Sequence, residues 1–402
     1  MLDLDGVQTL AFGGVVLLIG AALRKRVPVL ERYNFPAPVI GGLLVATAVA
    51  VARAHDVTLV KFDTTFQAPL MIAFFTSVGF SASLALLRAG GPQLVLFLAI
   101  ASVFAVVQNL VGAGVAIAFH LHPLFGVLSG SVTLTGGPAT GLAFAPMFEQ
   151  AGVQGAATIA ITAAIAGIVA GSLLGGPVAT LLIERTKSKG SPVEPVRQLD
   201  SKTSAVQGEL ASSDETYAAH IALKNVVAIL VAMWIGSWVS RGVASLNVTL
   251  PAYVGAMIVG AAIRAVDDRT HWIGLSRKTL DTIGSVCLSL FLVMALMTLK
   301  LWELTDLALP LAVNLLVQIV VVVLACVMVF RLMGRDYEAA VMSGGFIGFM
   351  LGTTANAVAV MRTLVERYGP APRAFLVAPI VGAFFLDFTN ALIITTFVNA
   401  WR

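Results

Sequence analysis

Two stretches of this 402-residue chain are too polar at their centres for ordinary spanning helices and too apolar at their flanks for loops. They read SGSVTLTGGPATG at 129–141 and SGGFIGFMLGTTANA at 343–357. In the first, Ser129, Ser131, Thr133, Thr135 and Thr140 surround Gly136 and Gly137, and Pro138 denies the chain a regular helical hydrogen bond at that point. Main chain opened in this way exposes its polar groups. Free amides at a half-helix N-terminus suit a carboxylate, while free carbonyls and hydroxyls suit a hard cation such as sodium. The second stretch offers Thr353, Thr354 and Asn356, the last with both donor and acceptor groups for a carboxylate or an amine. Small and hydroxyl residues also let helices approach closely, but their concentration around Gly-Gly-Pro favours a binding loop.

Asp387 is the sharpest single signal, a carboxylate inside AFFLDFTNALIITTF with no basic residue within thirteen positions. A charge at the centre of a membrane helix costs roughly 2.5–3.5 kcal/mol on insertion scales, so such residues face a cavity and serve function. Asn390, three residues on, shares its helical face. The residues expected to meet substrate are therefore Ser131, Thr133, Thr135, Gly136, Gly137, Thr140, Thr353, Thr354, Asn356 and Asp387. Those expected to meet sodium are Ser129, Thr135, Thr353, Asp387 and Asn390. Gln108, Asn109, Asn314 and Gln318 read as hydrogen-bonding glue between helices, and Gly167, Gly171 and Gly175 as a packing stripe. His120 and His122 read as solvated, and Cys287 and Cys326, each in an apolar run, as packing residues without a disulfide framework. The GGPATG run has neither the following lysine nor the preceding strand of a nucleotide loop.

Positioning such groups requires a membrane. Only 11% of the residues are charged, against about a quarter in soluble domains, and 58% are hydrophobic. Apolar stretches long enough to span a bilayer, roughly twenty residues, recur at 7–23, 36–52, 69–87, 93–119, 123–148, 155–183, 220–239, 251–263, 279–299, 307–330, 338–361 and 374–399. The opening, with Asp3 and Asp5 before a full-length apolar run, reads as a retained span rather than a cleaved signal. Two of the twelve segments, 123–148 and 338–361, contain the broken motifs and are expected to be re-entrant hairpins that line a site. With ten crossings and both termini outside, all but five of the 25 basic residues fall on the inner side, the exceptions being Arg53, Lys61, Arg241, Lys300 and Arg402. The net charge of +4 thus lies between spans and makes no nucleic-acid footprint. A polar linker at 184–215 separates an N-terminal half, 1–183, from a C-terminal half, 216–402.

The halves repeat. A shift of about 214 residues lays PVIGGLLVA at 38–46 over AYVGAMIVG at 252–260, and LSGS at 128–131 over MSGG at 342–345. Five crossings per half, an odd number, invert the second half relative to the first, as in secondary transporters whose sites lie between repeats. The expected fold is an all-α polytopic membrane protein of two inverted-topology repeats, each of five transmembrane helices plus one re-entrant hairpin.

SGSVTLTGGPATG, GFMLGTTANAVAVM, VGAFFLDFTNALII, SLSLFLVMALMTLKLWEL and NFPAPVIGGLLVA together resemble the bacterial glutamate:sodium symporter family, across nearly the whole chain outside the linker. The resemblance implies sodium-coupled uptake of L-glutamate across the bacterial inner membrane by a homodimer, each protomer divided into a scaffold and a moving domain that carries the hairpins. Where the family pattern has histidine then glycine, this chain has Pro138 and Ala139, and Phe346 stands where a second histidine is expected. A carrier of another amino acid or a dicarboxylate is the nearest alternative. An enzyme would need a catalytic partner for Asp387, and a channel would pass substrate without stoichiometric sodium.

Overall fold

Without water to satisfy it, main chain in a bilayer must bond within its own segment. The computed structural model, which describes residues 2–33, 35–57, 60–82, 84–187, 214–245, 250–270 and 272–401, is accordingly helical almost throughout. Most of the expected linker lies outside the described residues. A short parallel pair, Leu2–Leu4 against Val60–Phe62, is the departure from the all-α expectation.

Helix α1 (Gly6–Arg26) opens on a capping box, in which Asp5 accepts from the Gln8 amide and Gln8 from the Asp5 amide. It closes on Arg24, Lys25 and Arg26, cations that suit the negative end of the helix dipole. Next come α2 (Pro28–Arg32), α3 (Ala37–Ala54), α4 (Gln67–Phe80) and α5 (Leu84–Ala118), the last bent at Gly91 before Pro92. α6 (Pro123–Val127) runs into a wide π turn at Leu128–Val132, then α7 (Gly137–Gln150) and α8 (Ala156–Lys187). The second half supplies α9 (Asp214–Ala244), α10 (Ala252–Thr270), α11 (Arg277–Met297), α12 (Ala308–Leu332), α13 (Tyr337–Met350), α14 (Thr354–Tyr368) and α15 (Pro372–Ile380). A second π turn, Val381–Phe385, joins α15 to α16 (Leu386–Ala400).

Seven of these helices are long and apolar enough to cross a membrane, among them α1, α3, α8, α9, α11 and α12. The seventh is the part of α5 from Gly91 to Ala118. The other expected crossings differ for local reasons. α4 has 14 residues, α10 carries Arg264, Asp267, Asp268 and Arg269 in its last turns, and the final segment is divided by its π turn.

Packing sorts the helices into two bodies. α1, α3, α4, α9, α10 and α11 pack on one another, and α5 to α8 pack with α12 to α16. Along one seam between them, Val39 and Ala46 of α3 and Phe291, Leu292, Ala295 and Leu296 of α11 meet Leu142 of α7 and Ile161 of α8, all apolar. Tyr253 of α10 packs edge-on against Phe144 of α7, their ring centres 5.4 Å apart.

Candidate functional site

Both polar stretches form helix–turn–helix units. In the first, α6 approaches α5 so closely that Gly126 and Gly112 meet main chain to main chain. The helix then breaks at Gly130 (φ −104°, ψ −125°). The chain turns at Thr135 and Gly136, and Gly137 opens α7 at φ +69°, a left-handed conformation that suits glycine. Pro138 follows in the first helical turn, where its missing N–H costs nothing. In the second unit α13 ends at Met350, and the Thr353 hydroxyl caps α14 by accepting from the Asn356 amide at 3.4 Å.

The two turns meet. A Cβ on Gly137 would lie 3.2 Å from Thr353 Cγ2 and 3.6 Å from the Gly352 carbonyl oxygen. The N-termini of α7 and α14 therefore abut, bringing two partial positive charges to one place.

Gln108 of α5 ties the turns together. Its Oε1 accepts from the Thr135 hydroxyl at 2.6 Å, its Nε2 donates to the Met350 carbonyl at 2.8 Å, and its own carbonyl accepts from Gln318 Nε2 at 2.7 Å. Gln108→Leu keeps the volume but strands the Met350 carbonyl without this donor and the Thr135 hydroxyl without this acceptor. The expected destabilisation is about 2–5 kcal/mol, read as a lower urea or thermal midpoint of the purified protein in detergent.

A second polar group gathers at Ser129–Gly130–Ser131. Ser129 Oγ donates to the Phe125 carbonyl at 2.8 Å and accepts from Asn314 Nδ2 at 2.8 Å. The Ser131 amide donates to Asn109 Oδ1 at 3.0 Å, and its carbonyl accepts from Asn390 Nδ2 at 3.0 Å. Sequence reasoning assigned Gln108, Asn109, Asn314 and Gln318 to helix–helix glue. They do hold helices together, but Gln108, Asn109 and Asn314 do so through the main chain of the two units, and Gln318 through the Gln108 carbonyl. Their signal was a pair of carboxamides in each apolar segment that precedes a broken motif.

The remaining expected site residues divide. Thr354 Oγ1 donates to the Gly382 carbonyl at 2.8 Å, binding the second turn to the π turn of the last segment. Thr140 is buried against Gly136. Thr133 Oγ1 donates back to the Leu128 carbonyl, and Asn356 Nδ2 to the Ile168 carbonyl of α8, where the Asn356 side chain also lies against Gly352 of the second turn. Asp387 is half-buried on α16 between two anchors, Gly382 held by Thr354 and Asn390 holding Ser131. It has no hydrogen-bond or ion-pair partner among the described residues.

Two positions where the resemblance led to other residues being expected, Phe346 and Ala139, have apolar surroundings. Phe346 is fully buried in an apolar cluster, edge-on to Phe97 and Phe104 with ring centres 6.2 and 5.3 Å away. Ala139 packs on the apolar seam. A cavity of about 290 Å³ opens at that seam, lined in part by Gln67, Met71, Leu142, Pro146, Thr298 and Glu303. Neither turn lines it.

The sequence matches the sodium/glutamate symporter family over residues 2–370. It is 38% identical over 389 residues to the sodium/glutamate symporter of Haemophilus influenzae, covering 96% of this chain and 95% of that protein. It is also 38% identical over 401 residues to the sodium/glutamate symporter of Escherichia coli, covering 99% and 98%. A family match over residues 2–370 and relatives 38% identical over nearly the whole of both chains show that the chain belongs to the sodium/glutamate symporter family, a family of transporters rather than enzymes.

Proposed function

We propose that this chain is a secondary active transporter that takes up L-glutamate with sodium by alternating access, its two helix–turn–helix units entering the membrane as re-entrant hairpins from opposite faces. The observation that carries the reading is the contact of Gly137 with Thr353. Two helix N-termini brought together form an anion site without a fixed cation, which suits a carboxylate that must also leave. The substrate site comprises Ser131, Thr133, Thr135, Gly136, Gly137, Thr140, Thr353, Thr354, Asn356 and Asp387. Co-transported sodium is served by Ser129, Thr135, Thr353, Asp387 and Asn390.

The division into two packed bodies supports a scaffold with a moving body that carries both hairpins. The shift of about 214 residues supports inverted repeats, in which two related half-sites exchange exposure by a modest rigid movement. The charge bias supports a bacterial inner-membrane protein with both termini periplasmic. The family resemblance supports a homodimer.

Initial uptake of labelled glutamate, aspartate and malate into proteoliposomes tests this. A tenfold inward sodium gradient supplies about 1.4 kcal/mol per ion, so glutamate should accumulate with sodium and not with choline. Equal uptake in the two salts would remove the coupling, and preference for malate would make the chain a dicarboxylate carrier.

A further inference from the structure

One face of α11 changes character along its length. Asp281, Ser285, Leu288, Leu292 and Ala295 recur at alternating intervals of four and three residues, the spacing that lines one stripe of a helix. Leu288, Leu292 and Ala295 belong to the apolar seam against Leu142 of α7 and Ile161 of α8. Asp281 and Ser285 continue the stripe toward the N-terminus of α11, and both are exposed.

Two cavities adjoin this polar half, and Arg277, Asp281 and Ser285 line both. The larger, about 860 Å³, is bounded also by Leu17 of α1 and by Thr282 and Ser289. The smaller, about 290 Å³, is bounded also by Phe74, Ser77 and Ser81 at the end of α4. Among the described residues, their walls come from the body of α1, α4 and α11 alone. The cavity toward the C-terminal end of α11 differs, for Pro146 of α7 and Thr158 of α8 line it together with Met71 of α4 and Phe291 of α11. Both bodies thus enclose the space at that end, and one body alone walls the space at the other. The charge bias puts Arg277 and Lys278 on the inner side and Lys300 on the outer.

The polar groups at the inner end match an amino acid. Ser81 Oγ donates to Asp281 Oδ1 at 3.0 Å, and Arg277 Nε stands 3.9 Å from Asp281 Oδ2. That ion pair is long and about half exposed, and the Arg277 guanidinium makes no hydrogen bond among the described residues. Its planar fork is open to a carboxylate, and Asp281, one helical turn on, suits an ammonium. The Thr282 and Ser289 hydroxyls donate back to the Lys278 and Ser285 carbonyls, each at 2.8 Å, which leaves their lone pairs to water. An anionic lipid fits less well, since its headgroup would meet the Asp281 carboxylate and its tails a row of hydroxyls.

We propose that the polar half of this α11 face is the cytoplasmic vestibule of the transport path, where Arg277 receives a carboxylate of departing glutamate and Asp281 its ammonium. The proposal rests on the alternating-access reading above and adds to it a substrate contact on the body that does not carry the turns.

The test uses the full chain in inside-out membrane vesicles, with Cys287→Ala and Cys326→Ala removing the native thiols and Ser285→Cys supplying one. A membrane-impermeant sulfonate-bearing methanethiosulfonate should modify this thiol at least about tenfold faster than Leu230→Cys, on the exposed apolar side of α9, because the reactive thiolate needs water. Glutamate with sodium at the cytoplasmic face should slow the modification. Adding Arg277→Gln should lower the rate of the sulfonate reagent relative to its trimethylammonium counterpart at least about threefold, the effect of one unit charge across a hydrated cavity. Ser289→Cys carries the same expectations if Ser285→Cys accumulates poorly. Modification as slow as that of Leu230→Cys would overturn the proposal, the face being covered by lipid or a second copy. Rapid modification indifferent to glutamate would overturn it too, leaving a wet groove off the path. An unaltered reagent preference in Arg277→Gln would overturn the role of that residue. Sodium-independent uptake by right-side-out vesicles of the parent would overturn the coupled reading, a failure seen without any thiol reagent.

Discussion

Asp387→Ala is expected to cut sodium-driven glutamate uptake at least about a hundredfold while leaving the protein folded in the membrane. The carboxylate is half-buried near the start of α16, just after the π turn Val381–Phe385. Wide turns of this kind occur often at functional sites because they re-aim the residues that follow. Thr354 anchors the chain before Asp387 to the second helix–turn–helix unit, and Asn390 anchors the chain after it to the first. The charge is therefore held between the two units while lacking a partner of its own among the described residues. A lone carboxylate costs roughly 2.5–3.5 kcal/mol on insertion, so its removal eases folding, and a loss of transport reports on the site. A hundredfold is about 2.7 kcal/mol, the size of one hydrogen bond to a charged group. Initial rates in proteoliposomes, normalised to reconstituted protein, decide the matter. Unaltered uptake would remove Asp387 from the site, and Asp387→Asn separates the charge from the hydrogen bond.

Gly126→Val is expected to abolish accumulation of folded protein. α5 and α6 touch where Gly112 and Gly126 face one another, and a methyl on either overlaps the carbonyl of the other. Relief requires the two helices to part, which displaces Ser129–Ser131 from Asn109 and, through the turn, Thr135 from Gln108. Overpacking in a yielding core costs about 1–3 kcal/mol; main chain against main chain yields less, and the cost should exceed that range. Gly114, a short distance along the same helix, has open space where a Cβ would go. Gly114→Ala should therefore match the parent in membrane yield and thermal midpoint, and equal behaviour of the two variants would show that the close approach is dispensable.

The broken motifs were legible in the sequence because glycine, proline and hydroxyl residues announce an interrupted helix locally. The turns fall within the stretches 129–141 and 343–357, at Thr135–Gly136 and Leu351–Gly352. Asp387 was legible for a similar reason, as a charge without a neighbour. The roles of the carboxamides were not. Gln108 and Met350 are 242 residues apart, and Asn390 and Ser131 259 apart, so no local pattern distinguishes a residue that holds a hairpin from one that holds a neighbouring helix. Thr133 and Asn356 were singled out by residue type alone, and the partners that take their donors, the Leu128 and Ile168 carbonyls, were not legible either. The π turn in the last segment was hidden too, since Pro379 and Gly382 also occur in helices that merely bend.

The seam formed by Val39, Ala46, Phe291, Leu292, Ala295 and Leu296 with Leu142 and Ile161 contains no donor or acceptor in any of its side chains. Attraction across such a surface depends on area and hardly on alignment. A shear displacement among these eight side chains would trade one hydrocarbon neighbour for another, with the Thr158 bond to the Lys300 carbonyl a polar tie beside them, while the short bonds around Gln108 and Ser131 would stay inside a single body. Under the alternating access proposed above, friction would be low along these side chains and stiffness high around the two turns. A single serine or asparagine introduced into the seam would act as a detent, slowing turnover without touching the site.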